Sequence, residues 1–228
     1  MNQIMIGSQM IDYEVTRKNI LHTYLRIVDN HFSITTNPHT SEEELRKFIK
    51  KNESKLILRL NQKDKIPLYS NQFIELFGSK IPLVIQSGSR NFMSVKDGIA
   101  QLTCKEENQI HRIIERFYQR EVIKESKEYL LKLSPLGITL LPKEGLVIKA
   151  QLMKSRFGSC HIKKKIVKMN SILGRFEKKY LHSTLCHEIV HFKIKGHQKN
   201  FYKLLIQLDP EYKKTNQELK NLVHQYEV

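Results

Sequence analysis

The residues best suited to chemistry lie in the stretch CHEIVHFKIKGH, residues 186–197, which holds three histidines and one glutamate. His187 and His191 are four residues apart, so on a helix both side chains lie on one face, one turn from each other. This separation lets two imidazole nitrogens bind one metal ion. Glu188 is rotated by about 100° from that face, where it can act as the general base of an HExxH site.

A third histidine completes a set of metal ligands. We expect Gly196 to adopt the left-handed conformation that ends a helix, so that the chain turns and His197 reaches the same ion. Zinc sites with three protein ligands keep a position open for chemistry, whereas structural sites are usually filled by four. The sequence therefore predicts one catalytic Zn²⁺ on His187, His191 and His197, with Glu188 as the catalytic residue. The alternative is a half-exposed helix whose histidines are solvated.

Other reactive side chains near this motif are better explained by packing. Cys186 points elsewhere on the helix and is predicted to lie in the core, and Cys160 is predicted to be a packed thiol. His182 lies off the metal face and is expected in solvent or at a helix cap. The three cysteines form no CxxC pair, which argues against a disulfide framework. Free thiols suit a reducing compartment, and we predict a cytoplasmic location.

The elements before the motif indicate a β-rich first half. Alternating apolar and polar residues predict short strands within 9–35, and 66–104 returns to strand character with glycine turns. Between them, an acidic start followed by an apolar stripe predicts a helix near 41–60. We predict a β-rich N-terminal region over 1–105.

The elements that must position the motif follow in residues 106–228. They are predicted as a long helix over 107–133, a strand over 145–160 with a partner over 165–170, a helix over 177–195, and two more helices beginning at Gln198 and Pro210. The predicted fold class is α+β, either as two regions or as one continuous domain. This second region is the candidate catalytic one.

The charge of the chain bears on its partners. The formal net charge is +16, which favours polyanions such as nucleic acid. A lysine-heavy composition explains the charge equally well, and no stripe of arginines with interleaved aromatics is present. No segment approaches 18 uninterrupted apolar residues, so no membrane partner is predicted.

Taken together, these motifs resemble the YgjP-like, SprT-related zinc metallopeptidases. That family carries an SRWGSC strand, an Asn in the next strand, HExxH with a further His, and then a Phe-Trp pair. The matching residues here are SRFGSC (155–160), Asn170, HEIVH (187–191), His197 and Phe201–Tyr202. Both family tryptophans are replaced, by Phe157 and Tyr202, and the proline after the Asn strand is missing.

The resemblance implies a zincin-like fold, in which a small sheet packs on the HExxH helix and an extended peptide pairs with the edge strand beside the metal. SRFGSC is the candidate edge strand. Four substrate-binding candidates follow: Arg156, Phe157, Gly158 and Tyr202. Gly158 would allow close approach of a backbone. Arg156 would bind a substrate carbonyl or carboxylate, or brace the motif helix, and both roles stay open.

The predicted function is zinc-dependent hydrolysis of peptide bonds at an HExxH-x5-H site, with a protein or peptide as the partner. One alternative is a nucleic-acid-associated zinc-binding protein without proteolytic activity. A second is zinc-dependent hydrolysis of a non-peptide bond, because HExxH fixes the nucleophile and not the substrate.

Overall fold

The computed structural model describes residues 2–7, 9–28, 31–54, 56, 70 and 72–226. The chain divides into two compact units, residues 1–65 and 66–228. The boundary predicted after residue 105 falls within the second unit, and a functional division there stays a prediction. Both units mix strands and helices, so the α+β fold class is confirmed.

The first unit is a four-stranded sheet with a helix. Its strands are β1 (Asn2–Ile6), β2 (Gln9–Arg17), β3 (Tyr24–Val28) and β4 (His31–Thr36), in the order β1-β2-β4-β3. Helix α1 (Glu42–Lys51) begins at a capping box between Ser41 and Glu44, as the acidic start predicts. The part of the predicted helix beyond residue 56 lies outside the described residues.

The core of this unit forms where α1 packs on the sheet. Leu45 and Ile49 recur at helical spacing and are fully buried, in one cluster with Phe32 and Ile34 of β4. The helix therefore covers the sheet with the apolar stripe that the sequence predicts.

The second unit begins with another four-stranded sheet and a long helix. Its strands are β5 (Phe73–Leu76), β6 (Ser79–Ser87), β7 (Phe92–Lys96) and β8 (Ile99–Cys104), in the order β5-β6-β8-β7. A 3-10 turn (Glu107–Gln109) leads into α2 (Ile110–Leu130). Met93 and Leu102 of the sheet pack in one cluster with Ile114 and Phe117 of α2.

A three-stranded sheet follows. After α3 (Pro135–Leu140), it is formed by β9 (Val147–Gln151), β10 (Gly158–His161) and β11 (Ile166–Asn170), in the order β10-β11-β9. The prediction of one strand over 145–160 is wrong, because β9 pairs with β11 in parallel and β10 pairs with it antiparallel. The chain must therefore cross between the two edges of the sheet over residues 152–157.

The buried side chain of Asn170 holds that crossing in place. Its amide nitrogen donates to the carbonyls of Met153, at 2.7 Å, and Arg156, at 2.9 Å. Its oxygen accepts from the backbone N–H of Met153, at 3.2 Å, and of Ile172, at 3.3 Å. One side chain thus satisfies three backbone groups of the crossing and one at the start of the turn after β11.

Three helices complete the unit: α4 (Lys178–Val190), α5 (Lys199–Leu208) and α6 (Tyr212–Val223). Helix α4 packs in the core with Leu181, Leu185 and Ile189 fully buried. The predicted helix over 177–195 is too long, because the N–H of Phe192 turns to the carbonyl of Ile189 and ends the regular helix. Among the described residues, none of the helices combines the length and apolar character needed to cross a membrane.

The expected role of Gly196 is also wrong. Gly196 does not take a left-handed conformation, and the helix already ends five residues earlier, with His191 as its C-cap. The turn that brings His197 back is built from residues 191–195, where the N–H of Ile194 bonds the carbonyl of Val190 at 2.9 Å.

Candidate metal centre

Three imidazoles converge at the end of α4. One ring nitrogen from each of His187, His191 and His197 lies within 4.8 Å of the others. The Nε2 atoms of His187 and His197 are 3.0 Å apart, and the rings of His187 and His191 meet edge to face at 5.1 Å. Two of these residues come from the predicted helical pair and the third from the chain just before α5.

The second nitrogen of two of these rings already has a partner. Nδ1 of His191 lies 3.1 Å from the carbonyl oxygen of Ile194, and Nδ1 of His187 lies 2.9 Å from the hydroxyl of Tyr212. A carbonyl can only accept, so Nδ1 of His191 carries the proton and its Nε2 offers a lone pair. Such outer contacts fix the tautomer and orientation of histidine ligands.

One aromatic side chain packs against all three imidazole rings. Phe201, fully buried in α5, lies with its ring centroid 4.9 Å from that of His187, 4.7 Å from that of His191 and 4.8 Å from that of His197. The first residue of the family's aromatic pair therefore packs beneath the cluster. Its position restricts each imidazole to a narrow range of orientations.

Burial favours the neutral imidazole at the two histidines of the helical pair, His187 and His191. Burial lowers the pKa of His187 to about 4, helped by the neighbouring charges of His191 and His197. Burial likewise lowers the pKa of His191. Neutral imidazole is the form that binds a metal ion.

Glu188 lies beside these rings and is buried. Burial raises the pKa of Glu188 to about 7, while the Arg156 guanidinium lowers it. The carboxylate also lies against the backbone of β10: a Cβ on Gly158 would come within 2.7 Å of Oε1 of Glu188. The absence of a side chain at Gly158 therefore makes room for the carboxylate, which gives this glycine a role in the site that the sequence prediction did not include.

The cluster opens into a cleft of about 720 Å³. One wall is the SRFGSC segment, so that Arg156, Phe157 and Gly158 all line the cleft together with His187, Glu188 and His191. Tyr202, the fourth predicted substrate-binding residue, also lines it. Helix α6 also lines the cleft, through Tyr212, Thr215, Asn216 and Leu219.

The sequence matches the model of the YgjP-like metallopeptidase domain over residues 21–222. This protein belongs to the YgjP-like metallopeptidase family. It is therefore a metallopeptidase, an enzyme that hydrolyses peptide bonds with the help of a metal ion.

Solved structures similar to this YgjP-like metallopeptidase include two archaeal metallopeptidase zymogens. Jannalysin from Methanocaldococcus jannaschii is 23% identical, with a TM-score of 0.36 over 45% of this chain and 96% of that one. Abylysin from Pyrococcus abyssi is 15% identical, with a TM-score of 0.34 over 48% of this chain and 98% of that one. None of the curated proteins compared with the sequence matches it.

The predicted roles of the neighbouring side chains in the YgjP-like protein have mixed outcomes. Cys186 is fully buried, as expected of core packing. Cys160 is half-buried at the cleft, where burial and the charge of Glu188 raise the pKa of its thiol to about 11. His182 lies outside the metal cluster as expected, but its predicted place in solvent or at a helix cap is wrong, because its Nε2 lies 2.8 Å from the carboxylate of Glu125 on α2.

Sequence reasoning missed Tyr212 altogether. It is the first residue of an ordinary amphipathic helix and belongs to no motif, and only the packing of α6 on α4 brings its hydroxyl to His187. The only available signal was the stripe of apolar residues in α6, which indicates packing and not a contact with a ligand residue.

Proposed function

We propose that this metallopeptidase is a zinc enzyme of the zincin type, whose HExxH-x5-H site binds one Zn²⁺ through His187, His191 and His197. The convergence of the three imidazoles carries the proposal: their nitrogens lie within 4.8 Å of one another. Three imidazole nitrogen donors suit zinc, which binds imidazole at about 2.0–2.1 Å. Calcium and magnesium prefer oxygen ligands, which this set does not offer.

A zinc ion bound there would supply Lewis-acid chemistry, polarising the scissile carbonyl and making water more acidic. Glu188 would act as the general base: it takes a proton from the attacking water and later delivers that proton to the leaving amine. The place of Glu188 on α4, next to His187 and facing Gly158, supports this role. Its burial also limits competition from bulk water.

The cleft wall supports binding of an extended peptide. β10 is an edge strand of its sheet, and its residues Gly158, Ser159 and Cys160 line the cleft. An edge strand can pair with the backbone of a peptide and so position its carbonyl. Arg156 would bind a carbonyl or carboxylate of the substrate, and Phe157 and Tyr202 would pack against its side chains.

The family assignment favours peptide bonds over the two alternatives. A non-peptide hydrolase would use the same metal and base, but the matched domain is that of a metallopeptidase. The idea of a nucleic-acid-associated protein depends on the net charge of +16 alone.

The test is Glu188→Gln, which keeps the size of the side chain and removes its basicity. We expect stoichiometric zinc in both proteins and a turnover number about 10²–10⁴ lower in the variant. The measurements are metal content and cleavage of a peptide library. Glu211→Gln, a change of the same kind at an exposed residue of the turn before α6, serves as the control and should behave as wild type. Undiminished cleavage by Glu188→Gln would rule out the proposed base, and wild-type protein without zinc would rule out the metal site.

A further inference from the structure

We propose that Tyr212 is a positioning residue, which holds His187 in the orientation and tautomer that metal binding requires. The inference deepens the metal site proposed above and rests on it. Tyr212 is neither a predicted ligand nor a member of the HExxH motif.

The contact between the two side chains is specific. The hydroxyl of Tyr212 lies 2.9 Å from Nδ1 of His187. The two rings are inclined by 21° with centroids 5.5 Å apart, in a stacked arrangement. Tyr212 is buried, with 8% of its surface exposed, so this hydroxyl has few other orientations available.

The tautomer of His187 determines which atom donates the hydrogen bond in this contact. A neutral imidazole has one N–H and one lone pair, and Nε2 of His187 faces the other histidines. If Nε2 is to bind the metal, Nδ1 must carry the proton and needs an acceptor. The phenol oxygen of Tyr212 is that acceptor. The acceptor for Nδ1 of His191 is a backbone carbonyl, which a mutation does not remove. The acceptor for His187 is a side chain, so a mutation can remove it.

The chain holds Tyr212 in place by contacts that do not involve the metal cluster. The N–H of Tyr212 bonds the carbonyl of Asp209 at 3.1 Å. The carboxylate of Asp209 in turn accepts from the hydroxyl of Ser183 on α4, one helical turn before His187. The turn between α5 and α6 is thus tied to the same helix that carries the ligand, which sets the position of the phenol before any metal binds.

The test compares Tyr212→Phe with Tyr180→Phe. The first removes only the hydroxyl at His187. The second removes a hydroxyl that joins the same two helices, since Tyr180 of α4 donates to Glu218 of α6 at 3.2 Å, without touching a ligand. Zinc affinity is measured by competition with a chelator. We expect zinc to bind about 10–100-fold more weakly to Tyr212→Phe and with wild-type affinity to Tyr180→Phe. Wild-type affinity in Tyr212→Phe, or an equal loss in both variants, would overturn the inference.

A second measurement needs no metal. Imidazole ¹⁵N spectra of the metal-free protein should show His187 with its proton on Nδ1 in the wild type and in Tyr180→Phe. In Tyr212→Phe, we expect a shift of population towards the Nε2–H form. A wild-type His187 protonated on Nε2 would overturn the inference. If the wild-type protein bound no zinc, the proposed metal site would fail, and the tautomer alone would decide the role of Tyr212.

Discussion

Two polar clusters that include histidines of α4 differ in how their polar groups are satisfied. The closed cluster consists of Glu125, Tyr129, Lys178 and His182. The open cluster consists of His187, His191 and His197. In the closed cluster the polar groups bond one another, whereas in the open cluster one nitrogen of each ring points towards a common centre.

The closed cluster is held together by contacts within the protein. Glu125 accepts hydrogen bonds from Nε2 of His182, at 2.8 Å, and from the ammonium of Lys178. The ring of Tyr129 stacks on His182 at 3.9 Å with an inclination of 8°. A histidine with one ring nitrogen bonded to a carboxylate and one ring face stacked on an aromatic side chain is better explained by a structural role than by binding of a further group.

The open cluster has the opposite character. In the part of the chain that the structure describes, its histidines form no ion pair with a carboxylate, and the Nε2 atoms of His187 and His197 face each other at 3.0 Å. Lone pairs directed at one another repel unless a proton or a cation lies between them. Ring nitrogens that converge without a donor or a cation between them, and not the number of histidines, therefore distinguish a candidate metal site from a structural cluster.

The largest expected effect comes from removing one histidine from each cluster in turn. His191→Ala should lose both bound zinc and peptidase activity, while the stability of the metal-free protein changes little. His182→Ala should keep its zinc and activity but unfold more easily, by about 1–3 kcal/mol, because it leaves the carboxylate of Glu125 short of a partner. Metal analysis, a peptidase assay and denaturant unfolding measure these effects. Loss of zinc in both variants would show that the clusters are not independent.

A smaller effect is expected at the border of the open cluster. In Gly158→Ala, the new methyl group would lie 2.7 Å from Oε1 and 2.8 Å from Cγ of Glu188. Because these contacts are with the side chain of Glu188 and not with backbone, we expect the whole side chain to shift and the fold to survive. We expect up to about 100-fold lower turnover, since a misplacement of about 1 Å can have that cost, with zinc still bound.

Gly196→Ala is the matched control for that variant. It also adds a methyl group near the site, but the nearest atom is Cγ of Gln198, at 4.0 Å. Its turnover should therefore equal that of the wild type. Equal turnover in Gly158→Ala and the control would show that the contact between Gly158 and Glu188 has no part in catalysis.

The sequence reveals the open cluster more readily than the closed one for a physical reason. The spacing of His187 and His191 is local, so helix geometry alone brings the two rings together. The partner of His182 lies 57 residues away, and the partner of His187 lies 25 residues away on a different helix. Contacts between helices depend on packing, which a motif does not encode. For the same reason, the interruption between β9 and β10 depends on Asn170, whose bonds to the crossing form only when the sheet assembles.

The smallest expected effect tests whether the closed cluster is a source of stability. Burial raises the pKa of Glu125, but hydrogen bonds and charge from Lys178 and His182 outweigh it, and the net pKa lies below the ordinary 4.5. A carboxylate with a lowered pKa stabilises the fold above the pKa of the unfolded chain, and this stabilisation is lost as the pH falls through the folded value. Glu125→Gln should therefore lower the free energy of unfolding by about 1–2 kcal/mol at pH 7, and the difference from wild type should shrink below pH 4.5.

Glu128→Gln makes the same change one turn along α2, outside the closed cluster, and is the control for this last measurement. Its free energy of unfolding should follow that of the wild type across the pH range. Denaturant unfolding at several pH values measures both variants, with zinc content recorded in parallel. A pH-independent loss in Glu125→Gln would mean that the carboxylate contributes through packing and not through its charge. Glu125 lies on α2 and contacts α4 at His182 and Lys178, not at the histidines of the open cluster, so the zinc content should stay unchanged while the stability falls.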